Sequence, residues 1–255
     1  LAEYRLKRPD YAEAHISQLL EVVPLHAPAL HRRSALRTQA ASDNHVEDLR
    51  RRIDRAGADP RLVAAASYAL AKELEDLDRF DESVAVLNRG ARAFRSTLNY
   101  DARAELEAHE EIRSVFTREA FQGLRPGDAG DGPIFVVGMP RTGTTLVERM
   151  LSAHTQVVSI GEFTEFPRLY GLKLQEAVAA NPGTTPSEAS LGLDFPGLGR
   201  AYLEAARELA GDSPRFVDKL PFNFLYCGYI LAALPDARIV HLTRDPRDAC
   251  YAVYK

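Results

Sequence analysis

Apolar residues in the first half of the chain recur three and four positions apart, which is the spacing of one face of an α-helix. The groups run through Ile16–Val23, Val46–Ile53, Leu70–Leu77 and Val84–Ala91. Short segments with Pro, Gly or Asp separate them, at 9, 24–28, 57–60 and 78–80. Residues 1–122 are therefore predicted to form an all-α domain.

The helical pattern also repeats. Similar segments begin at Tyr11, His45 and Phe80, which places them 34 and 35 residues apart. A period of about 34 residues is typical of tetratricopeptide repeats (TPR), in which each repeat is a pair of helices. The third copy matches best, with Leu70 and Phe80 at inter-helix contact positions; an irregular helical bundle is the alternative. A last helix, predicted for 101–121, would cap this domain or bridge to the next.

The pattern changes after residue 122. Residues 123–132 are dense in Gly, Pro and Asp and are predicted to be a linker. Beyond the linker, apolar β-branched runs at 134–137, 215–217 and 238–242 each precede a turn and a helical stretch. Strands that alternate with helices imply a parallel sheet covered on both faces. Residues 133–255 are therefore predicted to be a P-loop-like α/β three-layer sandwich that binds a nucleotide.

Composition narrows the functional class. A hydrophobic fraction of 45% supports sizeable cores, and a net charge of -4 gives no reason to expect a nucleic-acid partner. The sequence has no apolar run of the roughly 20 residues that span a bilayer. Cys227 and Cys250, at unrelated spacing, fit a reducing compartment and predict a cytoplasmic protein. The chain begins at Leu1 rather than Met and ends at Lys255 inside a predicted helix, so we expect a fragment whose α/β domain is cut short.

The most informative segment follows the first predicted strand. It reads Gly-Met-Pro-Arg-Thr-Gly-Thr-Thr over 138–145 and has the spacing of a phosphate-binding P-loop, except that Thr144 stands in the Lys position. The P-loop Lys serves the β- and γ-phosphates of a triphosphate bound with Mg²⁺. Without it, the loop suits a single 5'-phosphate group with an attached sulfuryl group, and Arg141 supplies the positive charge. The alternative is an ordinary strand–turn–helix segment that has incidental glycines and no anion-binding role.

Residues 140–145 resemble the 5'-phosphosulfate loop of sulfotransferases that use 3'-phosphoadenosine-5'-phosphosulfate (PAPS). The resemblance extends over 133–255 and is greatest to bacterial repeat-bearing sulfotransferases, which are similar to tyrosylprotein sulfotransferases. It implies a sulfotransferase-type fold, an EC 2.8.2 type of reaction without a metal, and PAPS as donor. The phosphosulfate would be bound by Arg141, Thr142, Gly143, Thr144 and Thr145.

Sulfuryl transfer requires a base for the acceptor proton and cations near the oxygens that gain charge. The sequence has no His between His154 and His241, so a carboxylate is the natural base. Residues 159–163 resemble the segment that carries the proposed Glu base of tyrosylprotein sulfotransferases, which assigns the role to Glu162. Glu165 is the nearest competitor. The alternative for Glu162 is a helix N-terminal Glu favoured by the helix dipole.

Two further cations follow predicted strands. Lys219 belongs to a segment that resembles the family's Lys-x-Pro, which implies that it neutralises the oxygen between sulfur and the departing phosphate. Its alternative is a surface Lys paired with Asp218. By the same resemblance Arg244 binds the 3'-phosphate of PAPS; its alternative is an ion pair with Asp245 or Asp248.

Two other functions stay open. In family members a Ser on the 3'-phosphate follows the Arg by eight residues, and Ala252 stands there in this chain, which favours a helical scaffold with a vestigial nucleotide-binding domain. An aberrant P-loop kinase would need Asp218 to hold Mg²⁺. The acceptor is left open among a peptide tyrosine, a saccharide, a lipid and a small alcohol. Stacked helix pairs form a concave surface, which predicts that the repeats hold a protein or peptide acceptor or drive homo-oligomer formation.

Overall fold

The computed structural model describes residues 9–124, 126–127 and 132–255. The chain divides into two compact units. The first runs to Tyr100 and also takes in Tyr254 and Lys255, and the second comprises Asp101–Val253.

Five helices form the described part of the first unit up to Tyr100. They are α1 (Pro9–Val22), α2 (Ala27–Ala35), α3 (Val46–Arg55), α4 (Pro60–Asp76) and α5 (Phe80–Arg95). Asp59 caps α4 by accepting hydrogen bonds from the Arg61 and Leu62 amides, and Pro60 fits its first turn. The core is built of side chains from α1 to α4, including Leu20, Leu30, Leu49, Leu70 and Leu74.

The predicted breaks at 24–28, 57–60 and 78–80 lie at or next to helix ends, but the break at 36–45 between α2 and α3 was not predicted. The packing of one repeat position also differs. The aromatic ring predicted to lie between helices, Phe80, is 57% exposed, because it is the first residue of α5 and turns away from the core. The assignment of these helices to tetratricopeptide repeats stays a prediction.

The second unit contains helices before, between and after four strands. The elements are α6 (Ala102–Val115), α7 (Arg118–Gly123), β1 (Ile134–Gly138), α8 (Thr144–Ser152), β2 (Val157–Gly161), α9 (Glu165–Ala180), α10 (Pro186–Ser190), α11 (Phe195–Ala210), β3 (Arg215–Asp218), a 3-10 helix (Pro221–Tyr226), α12 (Cys227–Ala233), β4 (Arg238–Leu242) and α13 (Pro246–Tyr254).

The four strands form a parallel sheet in the order β2–β3–β1–β4. Side chains alternate between its faces. On β2, Val158 and Ile160 join the large core around Phe166 and Tyr202, whereas Ser159 between them contacts Glu148 of α8. The sheet therefore has helices on both faces, as predicted.

The boundary between the units lies earlier than the predicted one at 122, because α6 and α7 pack on the α/β unit. The Phe116 ring lies 4.5 Å from the Tyr229 ring in an edge-on contact, and Phe121 packs against the same core. The helix predicted over 101–121 is interrupted because the Thr117 side chain accepts a hydrogen bond from the Ala120 amide and starts α7.

The predicted linker 123–132 is partly packed as well. The Gly127 amide donates a 2.8 Å hydrogen bond to the Ala232 carbonyl, and a Cβ at Gly132 would lie 1.9 Å from the Asp236 carbonyl oxygen. The other predicted linker residues at 125 and 128–131 lie outside the described residues. Among the helices that the structure describes, none combines the length and the apolar character needed to cross a membrane.

Gly138, the last residue of β1, is predicted to be the least replaceable glycine of the sheet. Its φ is +148°, and a Cβ there would lie 2.5 Å from the Leu242 carbonyl oxygen. We expect Gly138→Ala to reduce the free energy of unfolding by about 2 kcal/mol or more through backbone strain and overlap. Gly171→Ala is the control: this site in α9 has open space, and a helical Ala is favoured over Gly by roughly 0.5–1 kcal/mol. Urea unfolding of both variants checks this; equal stabilities would contradict it.

Candidate active site

The loop between β1 and α8 has the backbone of an anion cradle. Arg141 and Gly143 both have positive φ, +69° and +104°, and the Thr142 amide and hydroxyl both donate to the Met139 carbonyl, which tightens the turn. Gly143 precedes α8 and has no side chain to cap it. The amide groups of the first turn and the positive end of the helix dipole therefore face the loop, where an anion is favoured.

The predicted phosphosulfate residues share this loop but differ in exposure. Arg141 and Thr145 are exposed, Thr144 is buried at the start of α8, and the Thr142 hydroxyl shapes the turn. Arg244 donates from Nη1 to the Arg141 carbonyl oxygen at 3.1 Å. The structure thus brings two of the three predicted cations, Arg141 and Arg244, to the same loop.

Lys219 and Glu162 meet at the carboxyl edge of the sheet. Glu162 follows β2 and Lys219 follows β3, and the Lys219 amide donates to the Gly161 carbonyl at 2.9 Å. The Lys219 ammonium then donates to Glu162 Oε1 at 2.5 Å. Lys219 is only 6% exposed, whereas the Glu162 side chain is 58% exposed. Lys219 is therefore not a surface residue paired with Asp218, and Glu162 precedes α9 instead of lying in its first turn.

A second carboxylate in contact with Lys219 was not anticipated from the sequence. Glu148 Oε2 lies 3.7 Å from the Lys219 ammonium nitrogen, and Glu148 Oε1 accepts a 2.5 Å hydrogen bond from the Ser159 hydroxyl. The Gly161 amide in turn donates to Ser159 Oγ at 3.0 Å. The available signal was spacing, because Glu148 lies four residues after Thr144 and so shares its face of α8.

Asp218 is fully buried beside this cluster, and its side chain is hydrogen-bonded to Tyr202 rather than to Lys219. Its Oδ2 accepts a 2.8 Å hydrogen bond from the Tyr202 hydroxyl. Burial raises the pKa of Asp218 to about 7; the Tyr202 hydroxyl and the Phe163 amide oppose that rise, as does Lys219, whereas Glu148 adds to it. Asp218 is therefore a poor Mg²⁺ ligand, since it is enclosed and holds a proton readily near neutrality.

The other candidate side chains and their stated alternatives have defined local contacts. Glu165 binds Arg168 through both carboxylate oxygens, and the hydrogen bonds from Arg168 lower the pKa of Glu165. Arg244 Nη2 is 3.6 Å from Asp248, so the ion pair stated as the alternative for Arg244 is present, and the Arg244 side chain is still 45% exposed. Asp245 accepts a 2.9 Å hydrogen bond from the Arg247 amide and so caps the start of α13. In the described part of the chain, no group of three or more His, Cys, Asp or Glu side chains is placed to hold a metal ion.

This edge of the sheet lies within the part of the chain that known proteins resemble. Residues 133–255 match the model of the sulfotransferase family. The match contains the loop after β1, Glu162, Lys219 and Arg244, so every predicted site residue lies within the residues that match this family model.

Full-length relatives extend beyond this chain. It is 31% identical over 241 residues to an uncharacterized protein of Aquifex aeolicus, an alignment that covers 92% of this chain and 32% of that protein. It is 26% identical over 122 residues to a protein-tyrosine sulfotransferase of Drosophila melanogaster, an alignment that covers 47% of this chain and 24% of that protein. It is 30% identical over 118 residues to protein-tyrosine sulfotransferase A of Caenorhabditis elegans, an alignment that covers 45% of this chain and 30% of that protein. The chain thus spans a quarter to a third of the length of these curated relatives.

Among solved structures, sulfotransferase STF9 from Mycobacterium avium aligns with a TM-score of 0.30 at 18% identity, over 85% of this chain and 65% of that one. Sulfotransferase STF1 from Mycobacterium tuberculosis aligns with a TM-score of 0.27 at 18% identity, over 84% and 66%.

The buried carboxyl of Asp218 predicts a specific pH dependence of stability. The pKa of Asp218 is about 7 in the folded protein and near 3.8 in the unfolded chain. Between pH 3.8 and pH 7 the folded protein therefore binds more protons than the unfolded chain, and it loses stability as the pH rises through this range. Asn cannot ionise. We therefore expect the free energy of unfolding of Asp218→Asn, relative to that of wild type, to increase by on the order of 2 kcal/mol from pH 5 to pH 8. Urea unfolding at both pH values measures this. The exposed Asp212→Asn is the control, and a pH-independent difference for Asp218→Asn would contradict the prediction.

Proposed function

We propose that this protein transfers a sulfuryl group from PAPS to an acceptor hydroxyl. One observation carries the proposal: a buried Lys219 and an accessible Glu162 form an ion pair at the carboxyl edge of the sheet, beside a phosphate-type loop that lacks the P-loop Lys. In open α/β sheets, ligands bind at this edge.

The loop would hold the donor's 5'-phosphosulfate. Main-chain amides at the start of α8 and the exposed Arg141 side chain supply hydrogen bonds and positive charge for one phosphate–sulfate unit. Arg244 would bind the 3'-phosphate, because its guanidinium is anchored to the loop at the Arg141 carbonyl and is still partly exposed. Arg suits this role since its planar donors match phosphate oxygens.

Lys219 and Glu162 would divide the chemistry between them. The acceptor oxygen forms a bond to sulfur while the bond from sulfur to the phosphate oxygen breaks. Glu162 takes the acceptor's proton, which its exposure permits, and the ammonium of Lys219 stabilises the charge on the departing phosphate oxygen. Holding the two side chains together orients the base and fixes the cation before substrate arrives.

The acceptor, the location and the metal requirement are proposed from the relatives and from the sequence. A protein tyrosine is the proposed acceptor because relatives in two animals are protein-tyrosine sulfotransferases. A cytoplasmic location is proposed from the two free cysteines, Cys227 and Cys250, and the reaction is proposed to need no metal. The kinase alternative is disfavoured because Asp218, its Mg²⁺ ligand, is buried against Tyr202.

Replacing Glu162 tests the base. We expect Glu162→Gln to lower kcat with radiolabelled PAPS by about 10²-fold or more, the usual contribution of general-base catalysis, with little change in binding of adenosine 3',5'-bisphosphate. Glu165→Gln is the matched control, since Glu165 is engaged by Arg168, and it should retain most of the activity.

Titration of the wild-type protein separates the three functions. Tighter binding of adenosine 3',5'-bisphosphate than of ATP–Mg²⁺, together with sulfuryl transfer, supports the proposal. A preference for ATP–Mg²⁺ would favour the kinase. Bisphosphate binding without transfer to any acceptor hydroxyl would favour the scaffold.

We also propose that the first unit recruits a peptide acceptor with acidic residues. A groove of about 500 Å³ in this unit is lined by small or apolar side chains and two basic ones: Ala27, Pro28, His31, Arg32, Ala35, Leu36 and Ala65. Small side chains let an extended peptide backbone approach closely, and the positive charge of Arg32 complements an acidic side chain.

Charge reversal in the groove tests recruitment. We expect Arg32→Glu to raise KM for an acidic peptide acceptor several-fold, with kcat and turnover of a small phenol unchanged. Arg55→Glu is the matched control, because Arg55 also lies exposed in the last turn of a helix, α3, but outside the groove. Equal effects of both variants, or equal loss on the phenol, would count against recruitment.

A further inference from the structure

The Lys219 ammonium lies between two carboxylates with different environments. Glu162 is exposed and lies after β2, whereas the Glu148 side chain is 12% exposed and projects from α8. A catalytic cation that contacts only its exposed partner would move whenever that partner moved to meet an acceptor. Glu148 provides a second, enclosed contact that does not depend on the acceptor.

We propose that Glu148, held by Ser159, is a positioning residue that fixes the Lys219 ammonium for sulfuryl transfer; this inference rests on the proposed function. Glu148 does not reach the reacting atoms. It acts through Lys219, from the side of the ammonium that faces α8.

The contacts form a continuous chain across three elements. The Gly161 amide donates to Ser159 Oγ at 3.0 Å, and the Ser159 hydroxyl donates to Glu148 Oε1 at 2.5 Å. Glu148 Oε2 then lies 3.7 Å from the Lys219 nitrogen. One carboxylate oxygen is thus fixed by β2 and the other faces the ammonium, so the orientation of the carboxylate is determined before any ligand binds.

Glu148 also ties the lysine to the phosphate loop. It lies one helical turn after Thr144, the first residue of α8, on the face that contacts the sheet. The helix whose N-terminus would hold the phosphosulfate therefore also holds the cation that would act on its bridging oxygen. A shift of about 1 Å in such an arrangement can cost about 100-fold in rate.

A double-mutant cycle separates positioning from a general structural role. We expect Glu148→Gln to lower kcat by about 10-fold with KM for PAPS changed by less than about 2-fold, because binding at the loop is retained. In a Lys219→Met background the same substitution should change the residual kcat by less than about 2-fold, since the residue through which it acts is gone. Ser159→Ala should repeat the pattern with a smaller loss, and the exposed Glu176→Gln is the control.

Spectroscopy tests the contact without requiring activity. Lys219 is one of five lysines in the sequence, so its signal in a protein with ¹³C-labelled lysine ε-carbons can be assigned by its loss in Lys219→Met. We expect Glu148→Gln and Ser159→Ala to shift this signal and leave the other lysine signals in place.

The outcomes separate this inference from the proposed function. A wild-type protein that transfers no sulfuryl group refutes the proposed function, and the role of Glu148 in transfer with it, whatever the NMR signal shows. Active protein with an unshifted Lys219 signal in Glu148→Gln, or with the same kcat loss in both backgrounds, overturns the positioning role. If Glu148→Gln does not fold, Ser159→Ala in the same two backgrounds decides the question.

Discussion

The site depends on one constraint, namely that parallel strands end at the same edge of their sheet. Glu162 follows β2 directly and Lys219 follows β3 directly, and the pairing of Gly161 with Asp218 places these two strand ends side by side. The 2.5 Å ion pair between their side chains is a consequence of that register. A shift by one residue on either strand would turn its side chain to the other face of the sheet and separate the charges.

Burying an ammonium group requires partners, and the structure supplies them unequally. An uncompensated buried charge costs several kcal/mol, so the enclosed Lys219 needs at least one carboxylate close by. Glu148 and Glu162 provide two, whereas Asp218 bonds to Tyr202 and, with its pKa raised to about 7 by burial, adds little negative charge below neutrality. The accessible partner, Glu162, is thereby freer to meet a substrate.

Local sequence patterns predicted three of the four strands that the structure describes, whereas strand β2 (Val157–Gly161) was not predicted. Apolar periodicity and Pro or Gly breaks predicted four of the five described helices up to Tyr100, all except α2, and the loop motif together with the family resemblance selected Arg141, Lys219 and Arg244 as candidates. Contacts between distant segments were not accessible in this way. In the sequence Glu148 has no feature that distinguishes it from other helical Glu residues, and its contact with Ser159 of β2 appears only in the structure. The boundary at Tyr100 likewise depends on Phe116 packing against Tyr229. Aromatic packing of this kind has no periodic signature.

If the proposed function holds, Arg244 would have a greater share of the 3'-phosphate site than the corresponding Arg of the sulfotransferases that residues 133–255 resemble. The position eight residues later is Ala252, whose side chain can donate no hydrogen bond, so recognition of that phosphate would rely on the guanidinium. A long flexible side chain is a poor sole contact unless it is fixed, because ordering it costs conformational entropy. Its 3.1 Å bond to the Arg141 carbonyl supplies that restraint and joins the group for the 3'-phosphate to the loop for the 5'-phosphosulfate. A donor bound at both ends would then be held by one connected structure.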